Sequence, residues 1–180
     1  MTEPRNHHSV FLSYSWDSDH HKTWVLRLAE ALQRERDIEV TFDQFDMWAG
    51  KDLTHFMERG LECERVVVVS TPEYVRKSKE RVGGIGYECS LITADLVQDM
   101  TQDKFVPALR LGDVLPSFLS TKFRIDFRDP RDFEAELSKL LAAIRRQPAA
   151  PRPAKRKSGD QSPTPAPEAP RQVTPSQKPS

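Results

Sequence analysis

No glycine fingerprint follows the first apolar strand of this chain, so neither a dinucleotide-binding Rossmann turn nor a P-loop is on offer there. Cysteine is scarce. Cys63 and Cys89 are too few for a disulfide scaffold and lack metal-ligand spacing, which leaves two reduced, half-buried thiols as the plain reading. His7-His8 and His20-His21 are adjacent pairs, which diverge instead of converging at i, i+4 on a metal. No apolar run approaches the roughly 18 residues of a membrane span. Met1–His8 is polar throughout, unlike a signal peptide. A cytoplasmic protein with no metal, no resident cofactor and no membrane partner is expected. Net charge is missing too, at +0, but the balance hides an asymmetry. Residues 147–180 hold six Lys/Arg against Asp160 and Glu168, so the rest of the chain is net acidic and gives no support to nucleic-acid binding.

Nine of the fourteen prolines also sit in 147–180, among Ala, Ser, Thr and Gln. Such a segment cannot bury enough apolar surface to offset its ordering entropy, and it reads as a disordered tail or linker. The expected organisation is a flexible start, 1–8, a folded domain, 9–146, and the Pro-rich basic tail.

Within the domain, strand-like runs alternate with helical patterns. Val10–Ser13, Ile38–Phe42, Arg65–Ser70, Phe105–Leu111 and Phe123–Phe127 read as strands. Four consecutive valines at 66–69, apolar on both faces, predict a central strand covered by helices on both sides. Thr23–Arg34 carries Trp24, Val25, Leu28 and Leu32 at helical spacing. A second amphipathic helix around Phe56, Met57 and Leu61 has Asp52 placed to cap it. Thr71-Pro72 opens a third, a glycine-rich interruption at Val82–Gly86 precedes a fourth, Tyr87–Val97, and Phe133–Ile144 closes the domain. This alternation predicts a flavodoxin-like α/β fold: a doubly wound five-stranded parallel sheet of order 2-1-3-4-5. Its crevice would lie at the carboxyl ends of strands one and three.

The crevice residues carry a family resemblance. Phe11-Leu-Ser-Tyr-Ser-Trp-Asp17 resembles the opening box of SEFIR domains, a branch of the Toll/interleukin-1 receptor (TIR) superfamily. Phe42-Asp-Gln-Phe-Asp-Met-Trp48, followed by Gly50 and Asp52, resembles the second box and its BB loop. Gly86-Tyr-Glu-Cys89 resembles the segment where TIR enzymes place a glutamate. The family is implied to do two things: to assemble through homotypic contacts and, in some members, to hydrolyse or cyclise NAD+ once assembly completes the site.

For that reaction the candidate is Glu88. Nicotinamide leaves a cationic pyridinium as a neutral molecule, so no general acid is needed, and positive charge develops on the ribose. One fixed carboxylate facing that charge supplies most of the stabilisation. Against this, a glutamate in a helix's first turn is favoured by the macrodipole in any case. Many TIR hydrolases carry tryptophan four residues before the glutamate; here that position is Gly84, so the aromatic shelf falls to Tyr87 or Trp48. Ser13, Tyr14 and Ser15 offer hydroxyls to a diphosphate or ribose, or equally form the turn. Trp16 stacks on adenine or covers the sheet edge. Asp43 and Asp46 suit loop organisation better than acid catalysis. Trp48 at a loop tip suggests a partner or ligand surface. Arg76, Lys77 and Lys79 form a basic patch.

A phosphorelay receiver would need an aspartate after strand three, where this chain has Ser70-Thr71-Pro72. The serious rival is a non-catalytic adaptor that self-associates through the BB loop, Gln44–Leu53, or docks on a SEFIR/TIR partner or sensor domain.

Overall fold

The computed structural model describes residues 7–80 and 102–148. The chain divides into two units, Met1–Ala149 and Ala150–Ser180, and every described residue belongs to the first. The Val82–Gly86 interruption, the Tyr87–Val97 helix with Tyr87, Glu88 and Cys89, and nearly all of the Pro-rich tail lie outside the described residues.

Five parallel strands form one sheet in the order β2-β1-β3-β4-β5. They are β1 (His8–Ser13), β2 (Ile38–Thr41), β3 (Arg65–Ser70), β4 (Phe105–Leu109) and β5 (Ile125–Asp126). The described α-helices are α1 (Asp19–Gln33), α2 (Asp43–Asp46), α3 (Leu53–Glu62), α4 (Pro72–Glu80) and α5 (Phe133–Ile144).

Alternate residues of the central strands supply two separate cores, as the two-residue strand period requires. Val10, Leu12, Val67 and Val69 pack with Val25, Leu28 and Leu32 of α1 and Leu137, Leu140 and Ile144 of α5. Phe11, Val66 and Val68 pack on the other face with Phe56 and Tyr74. β3 is buried along its whole length, as its valine run predicts. On the second face α3 approaches β1 so closely that a Cβ on Gly60 would lie 2.6 Å from the Phe11 ring. Arg65, at the buried start of β3, donates to the Ile144 and Ala143 carbonyls at 3.2 Å each and closes the C-terminus of α5.

Several boundaries differ from expectation. α1 begins at Asp19, four residues before Thr23, because the Ser18 hydroxyl accepts from the His21 amide at 3.1 Å and caps the helix. β4 stops at Leu109 and β5 shrinks to two residues, since only Ala108–Ile125 and Leu109–Asp126 pair; Phe123 stands 90% exposed. Asp52 caps α3 as its position predicts, accepting from the His55 amide at 3.1 Å.

Candidate site at the carboxyl edge of the sheet

β1 ends in Ser13, and the chain then runs through Tyr14, Ser15, Trp16 and Asp17 before α1 starts. The hydroxyls of Ser13 and Ser15 turn toward the second face. Ser13 bonds the Tyr74 hydroxyl at 2.8 Å, and both serines are fully buried. Thr71, between β3 and α4, donates to Asp17 Oδ2 at 2.6 Å and accepts from the Tyr74 amide at 3.0 Å. With that proton committed, Ser15 is the donor in its 3.4 Å contact with Thr71. The Asp17–Thr71 bond therefore ties the β1–α1 connection to the β3–α4 connection across the crevice that opens where the strand order reverses.

Tyr14 and Trp16 turn instead toward β2. After Phe42 the chain makes the single turn α2, an element the sequence pattern does not announce. Asp46 Oδ2 accepts from the Phe42 amide at 2.8 Å and fixes that turn. Asp43, 3% exposed, is its first residue. Its carboxylate accepts from three groups: the Tyr14 hydroxyl (3.0 and 2.9 Å to the two oxygens), Trp16 Nε1 (2.9 Å) and the Gln44 amide (2.8 Å). The Gln44 side chain donates in turn to the Tyr14 hydroxyl at 3.1 Å and the Lys22 carbonyl at 3.3 Å.

Burial pushes the Asp43 carboxyl upward, against the three donors that favour its ionised form. Burial, and then the Asp43 charge, push the Tyr14 phenol far up, so it stays protonated and remains a donor. The network is fully satisfied and locks the β1–α1 connection to the loop after β2.

Around it lies a pocket of about 330 Å³ lined by Tyr14, Trp16, Lys22, Asp43, Gln44 and Met47. Trp16 is 38% exposed, with the Lys22 ammonium 4.5 Å from its ring centroid. Trp48, 67% exposed, is not among the lining residues; Lys51 sits 4.2 Å over its ring and also donates to the Asp46 carbonyl. Gly50 takes a left-handed backbone, φ +92°, at the tip.

Of the residues singled out in the sequence, Tyr14, Trp16 and Asp43 come together here. Ser13 and Ser15 face the other way, Trp48 stands apart, and Tyr87 and Glu88 lie outside the described residues. Lys22 has no counterpart in the sequence reading, and Gln44 and Met47 enter it only as members of the second box, not as pocket residues. Their only signal is position, since Lys22 lies in the first turn of α1 and the other two flank aromatics of the second box. Among the described residues no three His, Cys, Asp or Glu side chains are grouped to hold a metal ion, and no helix is long and apolar enough to cross a membrane.

The family model for the TIR domain matches residues 10–141. Among solved structures the chain is similar to a prokaryotic SEFIR domain, with 32% identity over 82% of this chain and 99% of that one, at a TM-score of 0.68. It is also similar to the TIR domain of the Toll-related receptor TRR-2 from Hydra magnipapillata. There the identity is 18%, coverage is 76% of this chain and 97% of that one, and the TM-score is 0.54, a likeness of fold alone. No curated protein sequence matches.

Proposed function

The chain belongs to the TIR domain family, and on that footing we propose that it consumes NAD+ at the nicotinamide–ribose bond when copies of it self-associate. The observation that carries this reading is the pocket between the β1–α1 connection and the BB loop. It offers an aromatic face at Trp16, a cation at Lys22 and amide and phenol groups at Gln44 and Tyr14. Asp43 is the one carboxylate among its described lining residues, and its oxygens are spent on three donors. The charge that faces the ribose must come from elsewhere. Glu88, in Gly86-Tyr-Glu-Cys89, is our assignment.

In this mechanism the C1′–N bond breaks with its electron pair leaving on neutral nicotinamide. Glu88 holds the ribose hydroxyls and stabilises the oxocarbenium-like transition state. Water then adds at C1′ and loses a proton, giving ADP-ribose, or an adenine nitrogen adds and closes a cyclic isomer. Trp16 and Tyr87 supply the aromatic surfaces, and Trp48, outside the pocket lining, belongs to the assembly surface. Tyr14 and Asp43 hold Trp16 in place, and Ser13 and Ser15 brace the strand end on which the pocket is built. Assembly runs through the BB loop, Gln44–Leu53, in a cytoplasmic, antiphage-type defence setting where NAD+ depletion stops the cell. A sensor domain or partner tethered through the Pro-rich tail supplies the trigger.

A second reading, a non-catalytic adaptor, is favoured by a specific observation: Trp48 and Phe45 stand exposed on the BB loop, 67% and 42%, as a docking surface would. Glu88→Ala separates the two. It abolishes NAD+ loss and leaves assembly by light scattering intact if the domain is an enzyme. Full NAD+ loss in Glu88→Ala removes Glu88 from the reaction.

A further inference from the structure

Every buried side-chain polar atom that lacks a hydrogen-bond partner among the described residues falls in one neighbourhood. These atoms are Oδ1 of Asp17, both ring nitrogens of His21 and Nε of Arg110. Asp17 lies in the β1–α1 connection, His21 in the first turn of α1 and Arg110 just past β4, at the same sheet edge as the pocket. His21 is 2% exposed, with its ring 6.0 Å from that of Tyr14. The Arg110 guanidinium lies 4.7 Å over the Trp24 ring.

The charges that act on the imidazole are Asp17, which favours its protonated form, and Arg110 and His20, which oppose it. Asp19 and Lys22 flank it on α1, and the Tyr14 phenol faces it from the β1–α1 connection. Burial, the largest influence, holds its pKa below the ordinary value. A neutral ring is therefore the resting form.

Protonation would turn both ring nitrogens into donors. Among the charges that act on the ring only Asp17 is an acceptor, with Oδ1 unpartnered and Oδ2 taken by Thr71. The free Oδ1 bonds neither ring nitrogen in the resting state, so an imidazolium engages Asp17 only if the carboxylate turns away from the Thr71 hydroxyl. We propose that neutral His21 is a positioning residue for the β1–α1 connection, and that its protonation draws Asp17 off Thr71 and loosens Trp16 from Asp43. This deepens the reading of the crevice as the reaction site, but its first test needs no catalysis.

That test is NMR on the full-length chain labelled with 15N-tryptophan, from pH 8 to 5. It follows the Trp16 indole Nε1–H, assigned with Trp16→Phe, and the His21 ring, assigned with His21→Gln; His20→Gln serves as a control. His21 is expected to titrate below about 6.5, with the Trp16 signal moving along the same curve. In Asp17→Asn the His21 midpoint falls further, because the one charge that favours the imidazolium is gone, and Trp16 ceases to follow it. In His21→Gln the Trp16 signal loses the His21 midpoint and keeps only the response to Asp43, which accepts from its indole and is itself held above the ordinary carboxyl value. A Trp16 signal that stays still while His21 titrates, or that moves unchanged in His21→Gln, overturns the proposal. Arg110→Met gives a second route and is expected to raise the midpoint; an unchanged midpoint there contradicts the cluster. Where NAD+ is consumed, the acid limb of turnover tracks the same midpoint. Absence of turnover refutes the enzymatic reading and leaves the NMR result standing.

Discussion

Two polar clusters occupy the carboxyl edge of one sheet, and they are built in opposite ways. Around Asp43, a buried carboxylate meets three donors, and one of them, the Tyr14 hydroxyl, is itself held by the Gln44 side chain. Around His21, buried groups stand without hydrogen-bond partners, and the charges of Asp17 and Arg110 act on the ring in opposite directions. The contrast teaches that burial has different consequences for the same chemical types. In the first cluster it makes a rigid clamp between two loops; in the second it leaves polar groups poised to change partners.

Breaking the clamp is expected to have the largest effect. Asp43→Ala leaves the Tyr14 hydroxyl, the Trp16 indole and the Gln44 amide without their acceptor, a loss of about 3 kcal/mol in urea unfolding. A loss below roughly 1 kcal/mol would show that water replaces the carboxylate and that there is no clamp. A purely apolar reference comes from Gly60→Ala, whose new methyl meets the Phe11 ring; overpacking there costs about 1–3 kcal/mol.

Acid sharpens the comparison, because the clusters respond with opposite signs. His21 is held below its ordinary value of 6.5, so the folded state disfavours its charged form. Its contribution to stability is complete above about 6.5 and is lost as pH falls toward its lower folded value. Asp43 is held above its ordinary 3.8, so its burial weighs on the fold at neutral pH and is relieved as pH falls through that raised value. The difference in unfolding free energy between wild type and His21→Leu, measured from pH 8 to 5, isolates the first effect. It should shrink on the wild-type side with acid. At pH 8 itself His21→Leu is expected to lie within about 1 kcal/mol of wild type, because an unpartnered group gives up little when replaced by an apolar one of similar size. Smallest of all is Trp48→Ala. Truncating so exposed a side chain shifts stability by no more than about 0.5 kcal/mol, while it lowers self-association in light scattering.

The sheet order was legible because the four valines of β3 and the alternating helices admit few topologies. The box residues were legible as motifs, and five of them, Tyr14, Trp16, Asp43, Gln44 and Met47, do meet in one pocket. What escaped lies in contacts between distant positions. The Asp17–Thr71 bond joins residues 54 apart, and His21 reads in the sequence only as half of an adjacent pair. The turn α2 is set by Asp43 and Asp46 bonding outside ordinary helix propensity. The overextended fifth strand has a simple cause: β-forming residues at 123–127 signal propensity, but only two of them find a partner strand at the sheet's edge.

In the proposed function, assembly through the BB loop turns on NAD+ consumption. Its most direct test is NAD+ loss measured against protein concentration, with a crowding agent, alongside light scattering and with products resolved by chromatography. We expect loss to rise more steeply than protein concentration, to begin where scattering begins, and to vanish in Glu88→Ala. Scattering that reports assembly while NAD+ stays intact would contradict the account and leave the domain an adaptor.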